Sequence, residues 1–222
     1  MFKSCCRERI LPQFEHSRLA GMLAWHWGND RFDRPAIDFA DFAEGVTLHD
    51  WHYGLLDNHP LGATDHAEWL AIAQHGVAID YSRDAVDIVA KRHLRRLIGS
   101  PADHATQALL DRLTAKIEQR TQRCPYPAAA FAWADCLTRF CDTVAFHFGF
   151  EHLGWHRASV CAIRGDDTEV EIAYEITAKA GIHFEPWPFS PPEFGMPLTA
   201  FASAGYPDRL EPIVVYAHCR PA

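Results

Sequence analysis

The sequence predicts an α+β fold that is mainly α: a helical bundle followed by a C-terminal antiparallel β-meander. Two observations carry this. From about residue 12 to 148, apolar residues recur at three- and four-residue spacing, the period of a helix face. Past residue 155, the runs "VEIAYEI", "GIHFEPW", "PLTAFAS" and "PIVVYAH" are short and rich in β-branched and aromatic residues, with Gly, Pro and Asp between them. The chain therefore divides into a helical part over 1–155 and a meander over 156–222. The meander is short enough that it is expected to pack on the helices and share their core.

The helices follow in order. The first spans roughly 12–27, opens at Pro12 and stops at Gly28-Asn29. Its stripe holds Leu19, Met22 and Leu23, with His16 on the same face. The second covers 38–50, with Phe39, Phe42 and Val46 buried and His49 and Asp50 continuing it by one turn. "YGLLDNHPLG" is then a loop punctuated by Gly54, Pro60 and Gly62. The third spans 65–79, with Asp65 and Glu68 spaced as a capping box and His75 at the edge of its stripe. The fourth follows Ser82, carries Val86, Val89, His93 and Leu97 on one face, and ends at Gly99 and Pro101. The fifth is 102–122. The sixth, 126–148, is apolar nearly all round and so central, with Asp135 in its middle.

Composition narrows the function. With 222 residues, 48% of them hydrophobic, the chain can build a substantial core. Its net charge of −8 disfavours a nucleic-acid surface, and no apolar stretch is long enough for a membrane span. "MFKSCCRERILP" lacks the apolar centre of a signal peptide. Seven cysteines without a CxxC pair argue for reduced thiols, and the expected location is cytoplasmic. The expected partner is a small-molecule substrate, with neither nucleic acid nor membrane, and a homodimer is compatible with the sequence.

Fourteen histidines raise the prior for a metal site. Five predicted helices each turn a metal-competent side chain inward: His16, His49 with Asp50, His75, His93 and Asp135. Ionisable groups on an apolar face cost several kcal/mol unless partnered, and a divalent cation partners several at once. Imidazole with carboxylate suits one or two transition metal ions, Fe, Mn or Zn. The competing readings are a polar helix cap for His49-Asp50 and satisfied core polar groups for His16 and Asp135. Asp142, seven residues after Asp135, is a substitute for it, and His66 or His104 competes with His75.

The ordered set resembles the HD superfamily of metal-dependent enzymes. That resemblance implies an HD-domain-like helical bundle, with His16, His49, Asp50 and Asp135 as a four-ligand site and His75 and His93 as the extra histidines of its two-metal branch. A closer likeness, in "LPQFEHSRLAGMLAWHWGN", "LHDWHYG", "RHLRRL", "WADCLTRFC" and "PWPF", is to a bacterial family of unknown function with an HD-like core and a short β region. Many HD phosphohydrolases and the inositol oxygenase carry a lysine soon after the His-Asp pair, where this chain has Trp51, His52, Tyr53 and Gly54.

The leading expectation is a metal-dependent hydrolase that activates water against a small phosphoester or phosphoanhydride. Asp50 would bridge the ions and His52 would act as proton donor or anion contact. Arg92, Arg95 and Arg96 in "KRHLRRL" are the candidate phosphate contacts, against the plainer reading of a solvated helix face. The alternatives are a di-iron oxygenase and a non-catalytic metal-binding module.

Overall fold

In a computed structural model the described residues are 1–222 except 60–62, 100–102, 165 and 167. Pro60, Gly62 and Pro101, read from the sequence as breakers, lie outside them. Six helices follow the apolar periodicity closely: α1 (Gln13–His26), α2 (Phe39–Thr47), α3 (His66–Ala78), α4 (Asp84–Ile98), α5 (His104–Arg123) and α6 (Ala128–Phe150). Side-chain oxygens of Asp38, Asp65 and Asp103 accept from Asp41, Glu68 and Thr106 backbone N–H groups and so start α2, α3 and α5. The α4 start differs from expectation, with Arg83 in place of Ser82 at the cap and no side-chain cap bond.

The strands depart further. There are seven among the described residues: β1 (Phe2–Lys3), β2 (Arg9–Leu11), β3 (Gly154–Cys161), β4 (Glu169–Ile176), β5 (Gly181–Glu185), β6 (Phe194–Ala202) and β7 (Pro212–Pro221). They form one sheet in the order β1-β2-β6-β7-β5-β4-β3. The expected mainly-α bundle with a C-terminal antiparallel meander is thus overturned. β7 runs parallel to β5, with Ile182 opposite Cys219, and the sheet takes strands from both chain ends through the β2–β6 pairing.

The reason lies in the stretch after β5. Residues 186–193 do not turn straight back but cross to α1. There the Gly28 N–H donates to Pro188, the Ser190 N–H donates to His26, and Trp27 bridges Phe189. The detour leaves a gap beside β5, which β7 enters after β6 has been laid down. "FEPWPF" therefore fastens sheet to helices, with Phe189 buried between them.

The inner sheet face, with Ile172, Tyr174, Ile182, Phe184, Leu198 and Ala217, closes on α6. Phe140 of α6 sits edge-on to Tyr174 at 6.3 Å. α6 also packs against α1 and α4, so the all-round apolar helix is central. α1 and α2 meet closely at Gly21, where a Cβ would lie 1.9 Å from Thr47 Oγ1. That approach brings the side chains of α1 and the end of α2 onto α6. No helix among the described residues is long and apolar enough to cross a membrane.

Candidate metal centre

His49 and Asp50 do not continue α2. The helix stops at Thr47, and the pair occupies the turn into a 3₁₀ helix (Trp51–Leu56), the stretch expected to be loop. The turn frees both side chains from the helical spiral and lets them face the same way. The His49 Nδ1–H donates to the Val46 carbonyl at 2.5 Å, which leaves Nε2 as the nitrogen that points inward. That Nε2 is buried and has no hydrogen-bond partner among the described residues.

Around it the fold assembles His16 from α1, Asp50 and Asp142 from α6. One ligand atom from each of these four residues lies within 4.8 Å of the others. His16 Nε2 is 3.1 Å from Asp142 Oδ1 and 3.6 Å from Asp50 Oδ2. His49 Nε2 is 3.4 Å and 3.5 Å from the same two oxygens. Two carboxylates thus face two imidazoles in a site with no Lys or Arg side chain bonded to either carboxylate among the described residues. Two acids and two imidazoles, with an orphaned nitrogen aimed at their centre, fit a divalent cation.

Gln13 holds Asp50, and His93 lies against it. Gln13 Nε2 donates to Asp50 Oδ2 at 2.9 Å, and His93 Nε2 lies 2.8 Å from Asp50 Oδ1. Arg96 donates to His93 Nδ1 at 2.8 Å. A guanidinium can only donate, so Nδ1 accepts and the proton sits on Nε2, close to Asp50 Oδ1 but not aligned as a hydrogen bond to it. His93 therefore sits against Asp50 with its Nδ1 lone pair taken by Arg96. Arg96 is itself paired with Asp135.

The remaining expected residues fall as follows. Asp135 lies outside the four-residue group, which takes its α6 carboxylate from Asp142. His75 is exposed in the last turn of α3. His52 is buried against α3, where a Cβ on Gly76 would come within 2.6 Å of its ring. His66 bonds Asp103 at the surface, and His104 is exposed. Arg92 and Arg95 are half-buried. None of the three arginines is among the residues lining the cavity beside the group.

That cavity measures about 530 Å³, and His16, Asp50, His93 and Asp142 lie in its wall. Phe2, Tyr53, Trp69 and Phe146 supply ring surfaces, and the Phe2 ring stacks on His16 at 4.5 Å. Sequence reasoning passed over Phe2, Gln13 and Tyr53. Gln13 alone left a signal, one turn before His16 on the same helix face.

Electrostatics follow from this crowding. Burial would lower the His49 pKa, but Asp50 and Asp142 outweigh it and hold the imidazole at about 9. Burial would raise both carboxylates. For Asp50 the neighbouring His49 and His93, and for Asp142 chiefly His93 and His16, reverse the sign and keep both well below the usual range. His52 is the opposite case, pushed down to about 4 by burial despite Asp50 nearby. It is neutral at pH 7 and a poor proton donor.

These shifts predict a stability maximum for the metal-free protein near pH 6.5. A raised imidazole pKa stabilises fully below its ordinary 6.5, and this is lost as pH climbs through about 9. A depressed one stabilises above 6.5, and this is lost as pH falls toward about 4. A metal held by the group would replace the His49 proton, and so would abolish the alkaline decline and leave the acid one. Thermal melts from pH 4 to 9.5, with and without zinc, test this; an alkaline decline unchanged by zinc counts against it.

Fold and site together define an α+β protein with a candidate metal centre built from two histidines and two aspartates. The chain belongs to the family described as protein of unknown function DUF3891, whose model matches residues 6–201. This bears out an uncharacterised family and brings no assignment to the HD superfamily. Among curated proteins and solved structures, none matches the chain.

Proposed function

We propose that the protein is a single-metal hydrolase acting on a small phosphoester. The observation that carries this is the two-histidine, two-aspartate group set in the wall of a cavity of about 530 Å³. His16, His49, Asp50 and Asp142 would hold one divalent transition ion. Such an ion, when bound, lowers the pKa of water and offsets charge developing on phosphoryl oxygens. The chain's own residues do the rest. Gln13 fixes the Asp50 carboxylate, His93 lies against it, and Arg96 fixes His93. Phe2, Trp69 and Phe146 exclude bulk water from one side of the site.

Two features favour this over the neighbouring readings. A di-iron oxygenase needs a second ligand set, but His75 is exposed and the His93 Nδ1 lone pair is taken by Arg96. A phosphoanhydride needs several countercharges, and no Lys or Arg lines the cavity among the described residues.

The test is elemental analysis and turnover of 4-nitrophenyl phosphate after loading with zinc, manganese or iron in turn. The expected result is one ion per chain and hydrolysis that disappears with His49→Ala. One ion with no turnover of this or any other phosphoester tried would sink the hydrolase. Two irons per chain with O₂ uptake would replace it with the oxygenase.

A further inference from the structure

Besides unpaired atoms of His16, Asp50 and His93 around the metal group, two buried polar groups in the cavity wall are unspent. The Gln13 side chain is 3% exposed, and its Nε2 donates to Asp50 Oδ2. That bond fixes which way round the amide sits, because a carboxylate accepts only from the NH₂ end. Oε1 is left buried with no partner among the described residues. Tyr53 is 5% exposed, and its hydroxyl makes no aligned hydrogen bond among the described residues. The Trp69 indole beside it can only donate, so the phenolic proton remains unspent. Both side chains line the cavity.

A buried donor or acceptor without a partner costs about 1–3 kcal/mol, so two in one cavity point to a ligand that completes them. Oε1 of Gln13 asks for an N–H or O–H. The Tyr53 hydroxyl asks for an acceptor. Phe2, Trp69 and Phe146 surround them with ring surface, which suits a flat apolar body. With no Lys or Arg among the described lining residues, an anionic body meets no countercharge. Asp50 and Asp142 are the charges an ion would take up, and the third aspartate of the wall, Asp65, is engaged as the α3 cap, so with metal bound they offer little to a cation.

We infer that the cavity takes an uncharged, planar ring compound that carries an amide-like N–H and C=O pair, as the organic part of the substrate. Calling it substrate rests on the hydrolase reading; the binding claim stands without it.

The test compares two isosteric probes, benzamide and benzamidine, by calorimetry on the zinc-loaded protein. They share the ring and the N–H donors. Benzamide adds an acceptor and is neutral, whereas benzamidine is cationic and has none. Benzamide is expected to bind at least about fivefold more tightly, the worth of one neutral hydrogen bond. Tyr53→Phe should erase that preference by weakening benzamide alone. Benzamidine binding as well or better, or Tyr53→Phe weakening both equally, overturns the inference. The Tyr53 hydroxyl bonds none of the four metal-facing residues, so zinc titration of the wild type reads the hydrolase proposal separately. Failure to bind zinc with the benzamide preference intact on the metal-free protein sinks the hydrolase and supports the ring-binding claim.

Discussion

Asp142→Ala is expected to weaken zinc binding by more than about 100-fold, beyond what loss of a group supporting a ligand usually costs. Asp142 Oδ1 is the oxygen that both His16 Nε2 and His49 Nε2 approach, at 3.1 and 3.4 Å. Removing it leaves two imidazoles facing a single carboxylate. Arg96→Met should cost less, about 10–100-fold, because it acts through His93 on the aim of Asp50. Asp135→Asn should cost less again, since an amide oxygen can still accept from Arg96. Competition with a chromophoric chelator measures all three, and circular dichroism checks that each variant folds. The order Asp142, Arg96, Asp135 is the content of the prediction. A zinc affinity unchanged in Asp142→Ala, or Asp135→Asn matching it, would remove Asp142 from the site.

The same pair of aspartates shows what the sequence could and could not tell. They are seven residues apart, two turns of α6, and so share one face. Periodicity gives the face and not the height. Height is set by where α1 and the end of α2 cross α6, and Gly21 against Thr47 fixes how closely α1 and α2 approach each other. His16 was legible because an ionisable side chain on an apolar stripe is conspicuous, and His49 and Asp50 because the pair ends an apolar run, although the turn after Thr47 takes them off the helix face. His75 sat at the edge of its stripe, and the edge proved to be the solvent side.

Among the strands, β1 and β2 are two and three residues long, too short for alternation to register. They matter nonetheless, because β1 carries Phe2 to the cavity wall. The placing of β7 beside β5 was beyond local reading. It follows from the contacts of residues 186–193 with α1, which no strand pattern encodes.

Asp87→Ala is expected to destabilise the protein by about 3–5 kcal/mol, the cost of breaking a buried ion pair on one side. Asp87 is fully buried, and Lys91, one turn on, is 2% exposed and paired with it. The Lys91 ammonium also donates to the Ile79 carbonyl at 2.6 Å, and the Tyr81 N–H donates to Asp87 at 3.0 Å. Arg120 of α5 lies 3.3 Å from the other carboxylate oxygen. The pair thus ties α4 to α5 and to the end of α3, two residues before His93. Burial pulls the Lys91 pKa down and Asp87 pulls it back up. Without Asp87 the amine must lose its proton or admit water, and either loosens the helix that aims His93 at Asp50. Adding Lys91→Met to Asp87→Ala removes the stranded charge and should recover most of the loss, because an apolar side chain of similar length fills the space. Urea titrations of the two single variants and the double variant decide this. A double variant no more stable than Asp87→Ala would mean that the Tyr81 and Arg120 contacts, and not the ion pair, hold α4 in place.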